Sequence, residues 1–77
     1  MTPFIYYNVC FHMKPIGSFE LEENAEKYAE AERQRRLRVL EYKKADLTDG
    51  EYRGLRRSVE HGLVVREVTV NLQDRLY

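Results

Sequence analysis

The most constraining feature of this chain is a strict alternation of side chains over residues 4–13. The odd positions are all apolar, whereas the even positions mix aromatic, polar and small side chains. The odd set is Ile5, Tyr7, Val9, Phe11 and Met13, and the even set is Phe4, Tyr6, Asn8, Cys10 and His12. A period of two with β-branched and aromatic residues predicts a β-strand with one buried face. The rest of the chain must therefore supply a layer that covers the odd face.

A hairpin and a long helix are predicted to follow this strand. Residues 14–17 favour a turn, because Pro15 presets φ at the second turn position and Gly17 accepts a positive φ. Residues 18–21 then form a short second strand. Residues 22–45 contain strong helix formers and neither glycine nor proline. Acidic side chains gather at the beginning of this tract and basic ones at its end, as the helix dipole favours.

The last third of the chain predicts a second helix and a final strand. Thr48 and Glu51 have the spacing of a capping box, and the helix that begins there is expected to end near His61, with Gly62 as its stop. The β-branched residues of 63–72 predict a strand. The order ββααβ defines an α+β fold in a single small domain, residues 1–77, with the first strand central in a small antiparallel or mixed sheet. Two helices pack on its odd face, and the residues expected to complete the core are Tyr28, Leu40, Leu55 and Val68.

Composition excludes several classes of protein. The hydrophobic fraction of 43% and the aromatic fraction of 12% argue against a disordered chain. Thirteen basic and thirteen acidic residues cancel, so the chain has no general charge for binding polyanions. The single Cys10 cannot form an internal disulfide, which favours a reducing compartment and a cytoplasmic location. The apolar N-terminal stretch lacks a basic leader and is too short to span a bilayer, so no membrane association is expected.

The residues that could carry chemistry are few and poorly arranged for it. Cys10 and His12 fall on one face of the predicted strand, so a two-ligand half-site is geometrically possible, but closed metal sites take four ligands. The two lie about 7 Å apart along a strand, beyond direct hydrogen-bond reach. His61 suits an interaction with the end of the second helix. No glycine-rich loop or nucleophile elbow is present. We therefore expect a non-enzymatic protein with no catalytic residue, no metal and no cofactor.

Basic residues of the second helix form the first candidate binding surface. Arg53, Arg56 and Arg57 fall within an arc of about 100° on a helical wheel, opposite an apolar seam. Arginine suits planar recognition of carboxylate or phosphate, so this face could meet an anionic partner. The alternative is a solvated helix face.

Two further surfaces are candidates for binding. The even face of the first strand, with Tyr6, Asn8 and His12, is left open if both helices cover the odd face, and exposed aromatic residues there indicate an interface. Glu32 and Arg36 interrupt the apolar seam of the long helix. Either that helix extends past its own core towards a partner, or these two side chains pair with each other. Both surfaces predict self-association, most simply a two-fold dimer.

These observations favour a protein that acts by binding another macromolecule. An analogy of size and style suggests an accessory inhibitor from a phage or mobile element, of the anti-CRISPR or host-takeover kind, that blocks a host protein or nucleoprotein complex. The alternative is a small dimeric nucleic-acid-binding regulator that places its helical arginines on phosphates. The neutral net charge disfavours this second function.

Overall fold

The computed structural model describes residues 4–70 and has the predicted α+β class and ββααβ order. The elements are β1 (Phe4–Phe11), β2 (Lys14–Phe19), α1 (Glu22–Lys43), α2 (Asp49–Gly62) and β3 (Leu63–Val70), with a 3-10 turn at Lys44–Asp46 between the helices. In the part of the chain described, no helix is long and apolar enough to cross a membrane.

The sheet has three antiparallel strands in the order β2-β1-β3. The alternating strand is therefore central, as predicted. Tyr7 lies opposite Phe19 of β2, and Val9 lies opposite Val65 of β3. Because directly opposite residues share a face of an antiparallel sheet, the odd residues of β1 and β3 project to the same side.

The hairpin turn lies three residues earlier than the sequence predicts, at residues 11–14, and β2 accordingly spans Lys14–Phe19 instead of the predicted 18–21. Its two central residues are His12 and Met13, with φ angles of 50° and 72°. Both positions of a type I′ turn require positive φ, and this turn twists in the same sense as the strands that it joins. Pro15 is tolerated inside β2 because β2 is an edge strand and the β1–β2 register shifts between Val9 and Cys10.

Gly17 is needed for close packing, and not for a turn conformation. It has no positive φ. A Cβ at this position would lie 3.1 Å from the ring of Phe19 and 3.3 Å from the ring of Tyr28. The glycine therefore lets α1 approach the edge strand closely, which explains why a residue that looks like a turn former lies within β2.

The core lies between α1 and the odd face of the sheet. Val9 is fully buried, and Ala25 and Ala29 of α1 pack against it together with Leu63 of β3. The small alanine side chains let the helix lie close to the strands. The partly buried residues around this centre are Tyr7, Phe11, Ile16, Phe19, Tyr28 and Val65. The prediction of an odd-face core is thus confirmed for the middle of β1.

Four residues assigned to that core lie elsewhere or at its margin. Met13 is in the turn and 78% exposed, and Ile5 is 40% exposed at the end of β1. Leu55 is 47% exposed, because α2 packs mainly against the C-terminal half of α1 and not on the sheet. Val68 lies opposite Tyr6 and therefore belongs to the even face.

Gly62 ends α2, but without the left-handed conformation of a glycine stop. Its φ is not positive, and the chain continues directly from α2 into Leu63 of β3. A Cβ at Gly62 would lie 3.0 Å from the ring of His12 and 3.1 Å from the ring of Phe11. The glycine thus lets the end of α2 meet the turn between β1 and β2.

Candidate functional site

A concave surface lies between the C-terminal half of α1, α2 and the end of β1. We call it the hairpin groove, and its volume is about 500 Å³. The residues that line it are Phe11, His12, Arg35, Arg36, Val39, Leu40, Lys43, Leu55, Ser58 and Val59. On α1 the spacing is i, i+3, i+4 and i+7 from Arg36, and on α2 it is i, i+3 and i+4 from Leu55, so each helix contributes one face.

The floor of the hairpin groove is apolar and remains in contact with water. Leu40 is buried between the helices, whereas Val39 and Leu55 are 44% and 47% exposed. Phe11 closes the end of the groove nearest the sheet. Exposed aliphatic side chains that converge on one concavity are typical of a surface that another molecule covers.

The rim of the hairpin groove is basic. Arg35, Arg36 and Lys43 line it, and no carboxylate side chain does so within the described residues. Arg36 lies over the ring of Phe11, with its guanidinium carbon 4.1 Å from the ring centroid. This cation–π contact fixes one basic side chain at the junction of helix and sheet.

Glu32 holds the two arginines of the rim. Arg35 donates two hydrogen bonds to its carboxylate, at 2.8 and 2.9 Å, and Arg36 donates one at 2.9 Å. The hydrogen bonds from Arg35, followed by those from Arg36 and the positive charge of both, lower the pKa of Glu32 to about 2. Glu32 and Arg36 therefore pair with each other, one of the two arrangements that the sequence left open. The carboxylate also orients Arg35 and Arg36 beside the apolar floor.

His12 belongs to the hairpin groove and not to the open sheet face, which corrects the prediction from the alternation. Its positive φ takes it out of the pleat, and its Nε2 lies 2.5 Å from the hydroxyl of Ser58 on α2. The His12 ring also packs edge-on against Phe11, with ring centroids 4.2 Å apart. Cys10 remains on the even face, so Cys10 and His12 do not form the half-site that the spacing allowed.

The three arginines of α2 differ in whether an ion pair neutralises them. Arg56 forms an ion pair with Glu60 at 2.8 Å. Arg53 and Arg57 flank a shallow depression together with Gly50 and Gly54, and neither arginine forms an ion pair with any of residues 4–70. The predicted basic face is therefore reduced to two unneutralised side chains, Arg53 and Arg57.

Within residues 4–70, no helix covers the even face of the sheet, on which Tyr6 and Asn8 are half-buried and Cys10 is buried. We call it the open face, and the register assigns to it Phe4, Tyr6, Asn8, Cys10, Pro15, Ser18, Val64, Arg66, Val68 and Val70. Phe4 and Val64 are each 45% exposed. Asn8 accepts a hydrogen bond of 2.6 Å from Ser18, so its amide oxygen is partnered within the sheet.

Neither a cluster of metal ligands among residues 4–70 nor a match to a known protein indicates the chemistry of these surfaces. Within residues 4–70, no group of three or more His, Cys, Asp or Glu side chains could hold a metal ion. Comparison with models of protein families, with curated proteins and with solved structures gives no match. The candidate surfaces are therefore defined by their geometry and charge alone.

Sequence reasoning found Arg36 and His12 but missed that they meet in one groove. It assigned Leu40 and Leu55 to a core beneath the sheet. It placed Val39 in the apolar seam of the long helix and Lys43 among the charged residues that interrupt this seam, but it assigned neither to a binding site. The available signal was the spacing of 36, 39, 40 and 43 against 55 and 59, which predicts two helix faces that pack as a hairpin. These two helix faces form a groove because α2 packs against the part of α1 that extends beyond the sheet.

Proposed function

We propose that this protein is a non-enzymatic interaction module that binds another protein through the hairpin groove. The single observation that supports this is the combination of an apolar floor, with Val39 and Leu55 about half exposed, and a rim of three cations, Arg35, Arg36 and Lys43, in which one carboxylate, that of Glu32, pairs with both arginines. A protein surface that supplies apolar side chains and carboxylates would be complementary to both parts.

An acidic amphipathic segment is the occupant that fits the hairpin groove best. The groove is an open cleft between two helices, whereas small-molecule sites enclose most of their ligand. A helix or extended segment can lay apolar side chains on Val39 and Leu55 while its carboxylates face Lys43 and Arg35. The partner is thus identified by its chemistry, as an acidic and partly apolar protein segment.

The biological role that we propose is inhibition by occupancy. A small chain that covers a functional surface of a host protein or nucleoprotein complex blocks it without performing chemistry. This is the mode of action of anti-CRISPR and host-takeover proteins, and the analogy is one of size and style. The proposed site of action is the cytoplasm, because a single cysteine suits a reducing compartment.

Nucleic-acid binding is the alternative function, and one observation favours it. Arg53 and Arg57 lie exposed on one helix face without an ion pair to any described residue. Two such cations could contact phosphates of a nucleic acid. A regulator of this kind would bind generic DNA or RNA with a steep dependence on salt concentration.

The test compares variants of the hairpin groove with matched surface variants. The full chain is used to capture proteins from a host lysate, and the captured protein is then purified and titrated. Leu55→Asp and Lys43→Glu should weaken its binding at least tenfold, because each removes one half of the complementarity. The matched controls are Leu21→Asp, at a leucine 59% exposed, and Lys27→Glu, on the opposite half of α1. Both should bind like the parent.

Two results would overturn these proposals separately. Equal binding by the parent and by Leu55→Asp would exclude the hairpin groove as the docking site. Binding to generic DNA or RNA with a steep salt dependence, and to no protein, would replace the protein-binding function with the nucleic-acid alternative.

A further inference from the structure

The open face is a second surface of apolar character, on the side of the sheet opposite α1. Phe4, Tyr6, Val68 and Val70 cluster at one end of it, and the rings of Phe4 and Tyr6 lie 5.8 Å apart. Among residues 4–70, no helix packs on this face, because both helices lie on the other side of the sheet or beyond its end. With the described residues alone, Phe4 is 45% exposed, and Tyr6, Val68 and Val70 are half-buried.

The second half of β3 places its apolar residues on the open face. The register assigns Val68 and Val70 to that face, whereas Glu67 and Thr69 project from the face that carries α1 and are exposed. A strand with one solvent-exposed face normally places its apolar residues on the covered face. The pattern of residues 67–70 thus indicates that a second layer covers this end of the open face.

The area of the open face suits a weak dimer interface. Two strands of eight residues and one of six, at about 3.3 Å per residue and about 4.8 Å between strands, give a flat area of about 350 Å². Two such faces in contact cover about 700 Å² of flat area. That value lies at the low end of interface sizes, where weak and transient associations occur.

The charge of the open face identifies the occupant. Among residues 4–70, Arg66 is the one charged side chain that the register assigns to this face, and it is exposed on the edge strand, where it can reach solvent. A nearly neutral apolar face is complementary to another of the same kind, and two-fold symmetry places the same surface on both sides of an interface. The basic hairpin groove, in contrast, calls for an acidic partner.

We propose that the open face packs against the open face of a second copy of this chain, giving a two-fold dimer with two stacked three-stranded sheets. The layer order would be helix, sheet, sheet, helix, with the open faces in the centre. Both hairpin grooves remain on the outside of this dimer. It would therefore present two docking sites and gain avidity for a partner that carries two acidic segments.

The test measures the mass of the full chain by light scattering and sedimentation from about 1 µM to about 300 µM. The mass should rise towards twice the 9.2 kDa of one chain, and the melting temperature should rise with concentration. Val68→Lys and Val64→Lys should shift the monomer–dimer midpoint at least tenfold towards higher concentration. Thr69→Lys is the matched control, since Thr69 is the next residue of β3, is exposed and projects from the other face.

If a lysine variant fails to fold, Val68→Thr replaces it in the test. Threonine retains the shape of valine and is a good strand former, so this variant should fold. It should weaken association severalfold with an unchanged circular dichroism spectrum. A mass of one chain at every concentration would overturn the proposal. The proposal would also be overturned if Val68→Lys and Val64→Lys fold and remain dimeric. Equal dissociation of the Thr69→Lys variant would overturn it as well, because that result would indicate pairing through the outer edge of β3.

Discussion

Gly62, the last residue of α2, lies so close to the ring of His12 that a Cβ at this position would be 3.0 Å from it. The His12 ring is also hydrogen-bonded to Ser58 and packs edge-on against Phe11, so moving it away would disturb both contacts. This contact joins the end of the helical hairpin to the turn of the β-hairpin. It is also the point at which the hairpin groove meets the sheet.

We predict that Gly62→Ala destabilises the protein by about 1–2 kcal/mol, because the added methyl group overpacks this contact. The matched variant is Gly54→Ala, in the middle of α2, where a Cβ would meet nothing within 4 Å. That substitution should stabilise the protein by about 0.5–1 kcal/mol through helix propensity. Urea unfolding of both variants measures the difference, and equal effects of the same sign would show that the Gly62 contact is not tight.

The difference in burial between two residues of β1 predicts how much each alanine substitution lowers the free energy of unfolding. Val9→Ala should lower the free energy of unfolding by about 2 kcal/mol, since Val9 is fully buried between α1 and the neighbouring strands. Ile5→Ala, on the same face of β1 but 40% exposed, should cost less than about 1 kcal/mol. Chemical unfolding at low protein concentration tests both. A larger loss for Ile5→Ala would contradict the position of the core.

The lowered pKa of Glu32 predicts that the free energy of unfolding falls at acidic pH. Its pKa of about 2 lies below the ordinary value of 4.5, so the folded state binds this proton less readily than the unfolded state. The stability that Glu32 contributes is therefore complete above about pH 4.5 and is lost as the pH falls towards 2. We expect a loss of about 1 kcal/mol, since Arg35 and Arg36 are partly solvated.

Glu32→Gln tests this expectation directly. The variant should be less stable than the parent at pH 6, and the two should converge near pH 2. Glu26→Gln is the control, because Glu26 is exposed and forms no ion pair with residues 4–70. Parallel pH profiles for the parent and Glu32→Gln would contradict the assigned role.

The start of α2 predicts the effect of removing its cap. The Thr48 hydroxyl accepts a hydrogen bond of 3.2 Å from the Glu51 amide, and the Glu51 carboxylate accepts one of 3.0 Å from the Thr48 amide. Thr48→Ala should cost about 1 kcal/mol, whereas Thr48→Ser should cost a few tenths. Thermal unfolding of the two variants measures this, and identical stabilities would show that the cap contributes nothing.

The two unneutralised arginines of α2 predict the outcome of charge reversal. Arg53→Glu with Arg57→Glu should leave the fold intact, because exposed charge changes rarely exceed about 0.5 kcal/mol. If the nucleic-acid alternative holds, the double variant should reduce the slope of log affinity against log salt by about 2. If the hairpin groove is the site, binding to the captured protein should remain at the parent level. Arg56→Gln serves as the control, since Glu60 already neutralises Arg56.

The elements could be predicted because their causes are local. The alternation of β1, the helix formers of α1 and the capping box of α2 all act within a few residues of chain, and each element begins where its pattern predicted, although β1 ends at Phe11 and not at residue 13. The turn was misplaced because Pro15 and Gly17 resemble turn residues. Their actual environment depends on the edge position of β2 and on the approach of Tyr28, a contact between residues distant in sequence.

The sequence by itself determined the ββααβ order, the central strand and its buried odd face, because hydrophobic period and capping are properties of neighbouring residues. Only the tertiary structure decided that α2 extends past the sheet, that His12 turns towards Ser58, and that Val39 and Leu55 converge beneath a basic rim. These features depend on how the long α1 spans both the sheet and α2. That arrangement follows from packing between elements, where small residues such as Gly62 set how closely they can approach.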